Sequence, residues 1–263
     1  MTVELAHTVY AGPAGSAAVV LIGSLGSNRS MWDPQVPALS AVASVVTVDV
    51  RGHGGSPAPH GPYRIADLAE DVLALLNSLG HERVHLVGLS LGGAVAQWIA
   101  VHRPERVRTV SLLCTAAKFG QPAAWTARAE AVRRDGLASI ASAVVGRWLT
   151  PQFAAAHPAL VARCLAMVQA TDDEGYAACC EALAEWDSRP DLPRITAPAL
   201  VIAGAQDPAT TPDDLRIIAE AAARARLHVV TPGAHVASIE QAEEVTALIR
   251  DHLTTAPTDG NPS

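Results

Sequence analysis

The stretch Val84-His-Leu-Val-Gly88-Leu-Ser90-Leu-Gly92-Gly93 runs on into Ala94-Val-Ala-Gln-Trp-Ile-Ala-Val-His102. Its first part is short, apolar and rich in β-branched residues, the mark of a strand buried on both faces. Its second part reads as a helix, predicted over 92–102, that ends before Pro104. Ser90 falls at the junction, inside the pattern Gly88-x-Ser90-x-Gly92. A strand turning directly into a helix holds such a serine in strained backbone with its hydroxyl exposed, as a nucleophile requires. Side chains at 88, 92 or 93 would collide with the neighbouring strand and helix, so glycine is expected at all three.

Outward from this stretch, the same pattern recurs. Buried strands are predicted over 18–22, 44–50 and 199–203, and further strands over 107–114 and 227–230. Between Ile65 and Leu79 a helical face collects Ile65, Leu68, Val72, Leu75, Leu76 and Leu79, and Gly80 stands at the expected stop. Further helices are predicted over 212–223 and 241–253. This alternation implies an α/β domain with a mainly parallel sheet covered on both faces. Residues 115–193 break the rhythm: they are helical in pattern, Ala-rich, and carry Trp125, Trp148 and Trp186. The expected organisation is a core of residues 1–114 and 194–253, an inserted helical cap of residues 115–193, and a polar, disordered tail at 254–263.

A serine nucleophile needs a base, an orienting acid and an oxyanion site, in the chain order Ser, acid, His. The strand ALVIAGA leads to Asp207, and LHVV leads to a loop ending in His235, so both fall at the carboxyl edge of the sheet. Asp213 and Asp214 follow Pro212 and suit the first turn of a helix, and His228 lies inside a strand; these are weaker candidates. The amide of Leu91, the residue after the nucleophile, is one expected oxyanion donor. The Gly23-Ser-Leu-Gly-Ser27 loop offers the amide of Leu25 as the second.

The 263 residues carry a net charge of −7 and no block of Lys or Arg. Neither nucleic acid nor an anionic membrane is therefore expected as a partner. A small anionic substrate needs only one or two local arginines, and Arg128, one helical turn after Trp125, is the leading choice, with Arg133 and Arg134 as reserves. The alternative for that pair is a solvated Arg beside a core Trp. No basic segment followed by a long apolar run opens the chain, and no stretch approaches ~18 apolar residues, so a cytoplasmic protein is expected. The four cysteines, Cys114, Cys164, Cys179 and Cys180, show no ligand or disulfide spacing, and reduced thiols are expected. The ten histidines are scattered without metal-ligand spacing, and no metal site is expected. Arg51-Gly-His-Gly-Gly-Ser56 lacks the spacing of a phosphate loop. It is expected to shape the pocket base through its backbone, with His53 structural.

With these pieces placed, the chain resembles the α/β-hydrolase superfamily, and more narrowly the 3-oxoadipate enol-lactonases. The likeness rests on Ser24-Leu-Gly, Met31-Trp-Asp-Pro-Gln35, Arg51 to Ser56, Gly61-Pro-Tyr63, Ile65 to Asp71, the Gly88–Gly93 elbow, and Asp173-Glu-Gly-Tyr-Ala-Ala-Cys-Cys180. It implies the α/β-hydrolase fold with a helical cap, a Ser90–His235–Asp207 triad, no cofactor, and an anionic lactone substrate opened by water. One departure stands out: Gly23 occupies a position where that family usually carries Asn. Another carboxylesterase or lactonase, a haloperoxidase-like or dioxygenase-like enzyme, and a non-catalytic binding protein of the same fold remain as alternatives. A haloalkane dehalogenase is excluded, because that chemistry needs a carboxylate where Ser90 stands.

Overall fold

A computed structural model describes residues 1–255. The strands are β1 (His7–Tyr10), β2 (Ala18–Ile22), β3 (Ser44–Val48), β4 (Val84–Leu89), β5 (Val107–Leu113), β6 (Ala199–Gly204) and β7 (Ala225–Val230). The α-helices are α1 (Val36–Ser40), α2 (Ile65–Ser78), α3 (Leu91–His102), α4 (Pro122–Asp135), α5 (Ala141–Val145), α6 (Pro151–Ala156), α7 (Pro158–Gln169), α8 (Asp173–Glu185), α9 (Pro212–Ala221), α10 (Ala237–Glu240) and α11 (Ala242–Thr255). The seven strands form one sheet in the order β1-β3-β2-β4-β5-β6-β7. All neighbours are parallel except β1, which pairs antiparallel with β3.

Strands β2 and β4 are buried along their whole length, which is why they read as continuous apolar runs rather than alternating ones. Helix α3 packs on β2, β4 and β5 and against α2, while α1 and α11 meet each other and cover β3, β5 and β6. Helix α2 ends as its sequence requires. Gly80 adopts φ +73°, its amide donates to Asn77, and the His81 amide reaches back to Leu76. Only a residue without a Cβ enters that left-handed turn cheaply.

Several boundaries differ from the sequence reading. The edge strand β1 is not anticipated, because four half-exposed residues carry no period-two alternation. Strand β3 stops at Val48 rather than 50, and β7 starts at Ala225 rather than 227. Thr254 and Thr255, assigned to the tail, instead close helix α11. The rest of that tail, 256–263, lies outside the described residues. Between β5 and β6 the chain forms helices α4 to α8, with α4 packed along α8.

In a parallel sheet the ligand site lies beyond the carboxyl ends of the strands. The segments after β2, β4, β6 and β7 meet there, and they carry Leu25, Ser90, Asp207 and His235 respectively.

Candidate active site

Ser90 sits between β4 and α3 at φ +56° and ψ −113°. Among the described residues, Ser90 and Cys114 are the non-glycine residues with positive φ. Such a conformation costs about 1–3 kcal/mol and persists only where the surroundings over-determine it. Here they do: the Ser90 amide donates to Leu113 at 2.9 Å, and its carbonyl accepts from the Thr115 hydroxyl at 2.7 Å and the Ala94 amide at 3.1 Å. The glycines behave as their positions demand. A Cβ at Gly88 would lie 2.1 Å from the Gly92 oxygen, and one at Gly92 would lie 2.1 Å from the Ile22 oxygen. One at Gly93 would lie 2.5 Å from Thr115.

Asp207 and His235 meet at the same edge. The imidazole Nδ1 lies 2.8 Å from Asp207 Oδ2, and both residues are buried. Because a carboxylate only accepts, Nδ1 carries the proton and Nε2 is the basic nitrogen. Burial pushes the Asp207 carboxyl up, but the charge and hydrogen bond of His235, with hydrogen bonds from Thr210 and Ala209, bring it below its ordinary value. Its Oδ1 accepts from the amides of Ala209 at 2.8 Å and Thr210 at 3.1 Å, while the Thr210 hydroxyl donates to Oδ2 at 2.7 Å. Thr210 went unnoticed in the sequence. The turn Asp207-Pro-Ala-Thr210, in which an aspartate accepts from amides two and three residues on, was the available signal.

The acid and histidine loops are locked together. The Gln206 amide donates to the Gly233 carbonyl at 2.7 Å, and a Cβ on Gly204 would lie 2.3 Å from the Ala234 oxygen. The buried carboxylate of Glu240 accepts from the amides of Ala234 at 3.0 Å and Thr150 at 3.2 Å, and from the Thr150 hydroxyl. It thereby ties the loop carrying His235 to the segment between α5 and α6. Glu240→Ala strands those donors in a buried site. At about 1–3 kcal/mol for each of the three unpaired donors it should lower Tm by at least roughly 6 °C, and Glu240→Gln by less, in thermal unfolding.

The oxyanion loop has its own support. Gly26 adopts φ +78°, and its amide donates to His53 Nε2 at 2.9 Å. His53 Nδ1 in turn lies 3.1 Å from the Arg51 carbonyl, so the ring is a buried strut between two loops. Arg51 is held by Asp71 of α2 through contacts of 2.6 and 2.8 Å. Gly52 touches helix α8 directly: a Cβ there would lie 2.4 Å from the Gly175 Cα. The Leu91 amide at the first turn of α3 has no intrahelical acceptor, and the Leu25 amide donates to no group among the described residues. At Gly23, a Cβ would lie 2.6 Å from the Ser27 hydroxyl and 2.9 Å from the Met31 sulfur. Those two side chains fill the space that a larger residue at 23 would need.

These elements enclose a cavity of about 380 Å³, at the small end of ligand sites. Ser90, His235, Leu25 and Thr210 form its floor, and Trp125, Arg128, Arg147, Trp148 and Tyr176 line it from helices α4 to α8 and their connections. Trp125 donates its indole N–H to the Phe119 carbonyl at 2.7 Å, and the Arg128 guanidinium lies 4.7 Å from the Trp125 ring centre. Arg133 and Arg134 are corrected as anion candidates: Arg133 pairs with Glu174 at 2.7 Å and with Glu181, and Arg134 with Asp135 at 2.7 Å. The other weak candidates are also engaged elsewhere. Asp214 caps α9 with Thr211, Asp213 pairs with Arg216, and His228 pairs with Glu244 at 2.8 Å. The four cysteines are buried and free, and no group of three or more His, Cys, Asp or Glu suited to a metal occurs among the described residues.

The model of the alpha/beta hydrolase fold family matches residues 17–242. The chain belongs to the α/β-hydrolase family. This hydrolase is 44% identical over 230 residues to 3-oxoadipate enol-lactonase 2 of Acinetobacter baylyi, covering 88% of this chain and 86% of that one. It superposes on the crystal structure of the enol-lactonase from Burkholderia xenovorans LB400 with a TM-score of 0.93 at 40% identity, over 96% and 97% of the two chains. A thermophilic esterase from Thermogutta terrifontis, solved with malate bound, gives 0.91 at 30% identity over 97% and 95%. No described helix of the hydrolase is long and apolar enough to cross a membrane.

Besides Thr210, the cavity side chains able to contact a substrate that the sequence reading did not single out include Tyr176, Arg147 and Trp148. Tyr176 lies within the Asp173–Cys180 stretch that carries the family resemblance. Nothing in the sequence around Arg147 marked it.

Proposed function

We propose that the hydrolase opens the ring of 3-oxoadipate enol-lactone with water to give 3-oxoadipate. The observation that carries this reading is a small cavity lined by Ser90, His235 and two arginines, with no acidic side chain among the described lining residues. A lactone with one free carboxylate fits that distribution, and the likeness to the enol-lactonases supports it.

In the proposed reaction Ser90 Oγ attacks the ring carbonyl as His235 Nε2 takes its proton. Asp207 holds the imidazole and stabilises the imidazolium. The amides of Leu25 and Leu91 receive the developing oxyanion. The ring C–O bond then breaks, and the enol oxygen leaves with the proton from His235. The released enol becomes a ketone, so the ring does not close again. Water, activated by His235, next attacks the acyl carbon and frees Ser90 and the second carboxylate. We assign residues 115–193 as a cap domain on a core of residues 1–114 and 194–253. The proposed compartment is the cytoplasm, where four buried thiols stay reduced.

The test is incubation with enzymatically generated enol-lactone, following loss of its absorbance; a kcat/KM no better than for simple esters would overturn the reading in favour of a general esterase. Arg128 and Trp125 are proposed to take the carboxylate and the face of the ring. Arg128→Gln should then lower the ratio of kcat/KM for the lactone to that for p-nitrophenyl acetate by about 10- to 100-fold, since a charge-assisted contact is lost. A ratio unchanged within twofold would move the carboxylate site away from Arg128.

A further inference from the structure

Arg147, between α5 and α6, is half-buried and lines the catalytic cavity. Among the described residues, no carboxylate or carbonyl accepts a hydrogen bond from its guanidinium. That is unusual company for a cation, because the same cavity is also lined by a second arginine, Arg128. Burial first and then the Arg128 charge lower the pKa of Arg147, and Tyr176 partly offsets them. Tyr176 lines the same cavity and feels both: burial pushes its phenol up, and both guanidinium groups pull it down. A desolvated cation beside a like charge costs stability unless an anion completes the site. Arg128 is already partly satisfied, its guanidinium lying over the Trp125 ring. Arg147 has no such compensation.

We propose that Arg147 is the second, specificity-determining half of a two-arginine carboxylate site, sharing the free carboxylate of the substrate with Arg128. This rests on the lactone reading for the identity of the substrate, but not for the chemistry of the site. The cavity selects any small acyl compound whose second end is a carboxylate. The pair of charges also gives the hydrolase, which is net negative overall, a local attraction for anions.

The test compares the wild type with Arg147→Gln and Arg147→Lys. Arg147→Gln should lower the lactone-to-p-nitrophenyl acetate ratio of kcat/KM by about 10- to 100-fold, mainly through KM, with Arg147→Lys recovering part of the loss. Calorimetric titration with adipate, which needs no turnover, should show binding to the wild type and binding at least tenfold weaker to Arg147→Gln. Tm should be unchanged or raised, because the variant removes a half-buried, unpaired charge. Equal losses on both substrates together with a fall in Tm would make Arg147 a structural residue and overturn the proposal. So would adipate affinity that is absent in the wild type or unchanged in the variant. A wild type that binds adipate through Arg147 but leaves the enol-lactone intact would sink the lactone reading alone and uphold this site.

Discussion

Ser90→Ala should lower kcat/KM on the enol-lactone by about 10⁵–10⁶-fold, the scale seen when the nucleophile of a serine hydrolase triad is removed. The protein should stay folded. Alanine keeps the Cβ, so the backbone strain at φ +56° is the same in the variant, and the bonds from the Ser90 amide and carbonyl involve no side-chain atom of residue 90. His235→Ala should fall to a similar floor, because the serine is a poor nucleophile without a base. The double variant should lose little more than either single one. Steady-state kinetics with circular dichroism on the three proteins checks this. Losses that multiply would mean that Ser90 and His235 do not act as a unit, and the assignment of both would fail.

Asp207→Asn should lower kcat by about 10⁴-fold with little change in Tm. The geometry gives the reason. Oδ1 of Asp207 accepts two backbone amides, from Ala209 and Thr210, which no NH₂ group can replace. The asparagine oxygen must therefore occupy that side, and its NH₂ turns to the side facing His235 Nδ1. The imidazole then places its proton on Nε2, where the base is needed, and cannot accept from Ser90. A kcat within tenfold of the wild type would mean that another carboxylate orients the base. Asp213 is poorly placed for that role, exposed on α9 and paired with Arg216.

The Arg128 and Arg147 variants have smaller expected effects but divide the labour differently. In the proposed reading the triad sets the rate on every ester, whereas the two arginines set the preference for an anionic one. Both classes of variant measured on the same two substrates separate chemistry from recognition.

The amino-acid sequence by itself determined the sheet, the elbow and the choice of chemistry. Those features are encoded locally: an apolar strand, glycines where a Cβ would strike backbone, and a helix beginning at the next residue. Asp207 and His235 were legible for the same reason, each following a strand at its carboxyl end. Tertiary structure alone decided the rest. Strand β1 exists only through its pairing with β3, and its four residues have too little pattern to announce it. His53 becomes a strut because Gly26, far away in the chain, offers it an amide. Arg133 and Arg128 share one helix, and periodicity cannot say which faces the cavity and which is taken by Glu174 and Glu181. The role proposed for Arg147 rests on the lack of a carboxylate partner among the described residues, a property of packing between distant segments that no local pattern records.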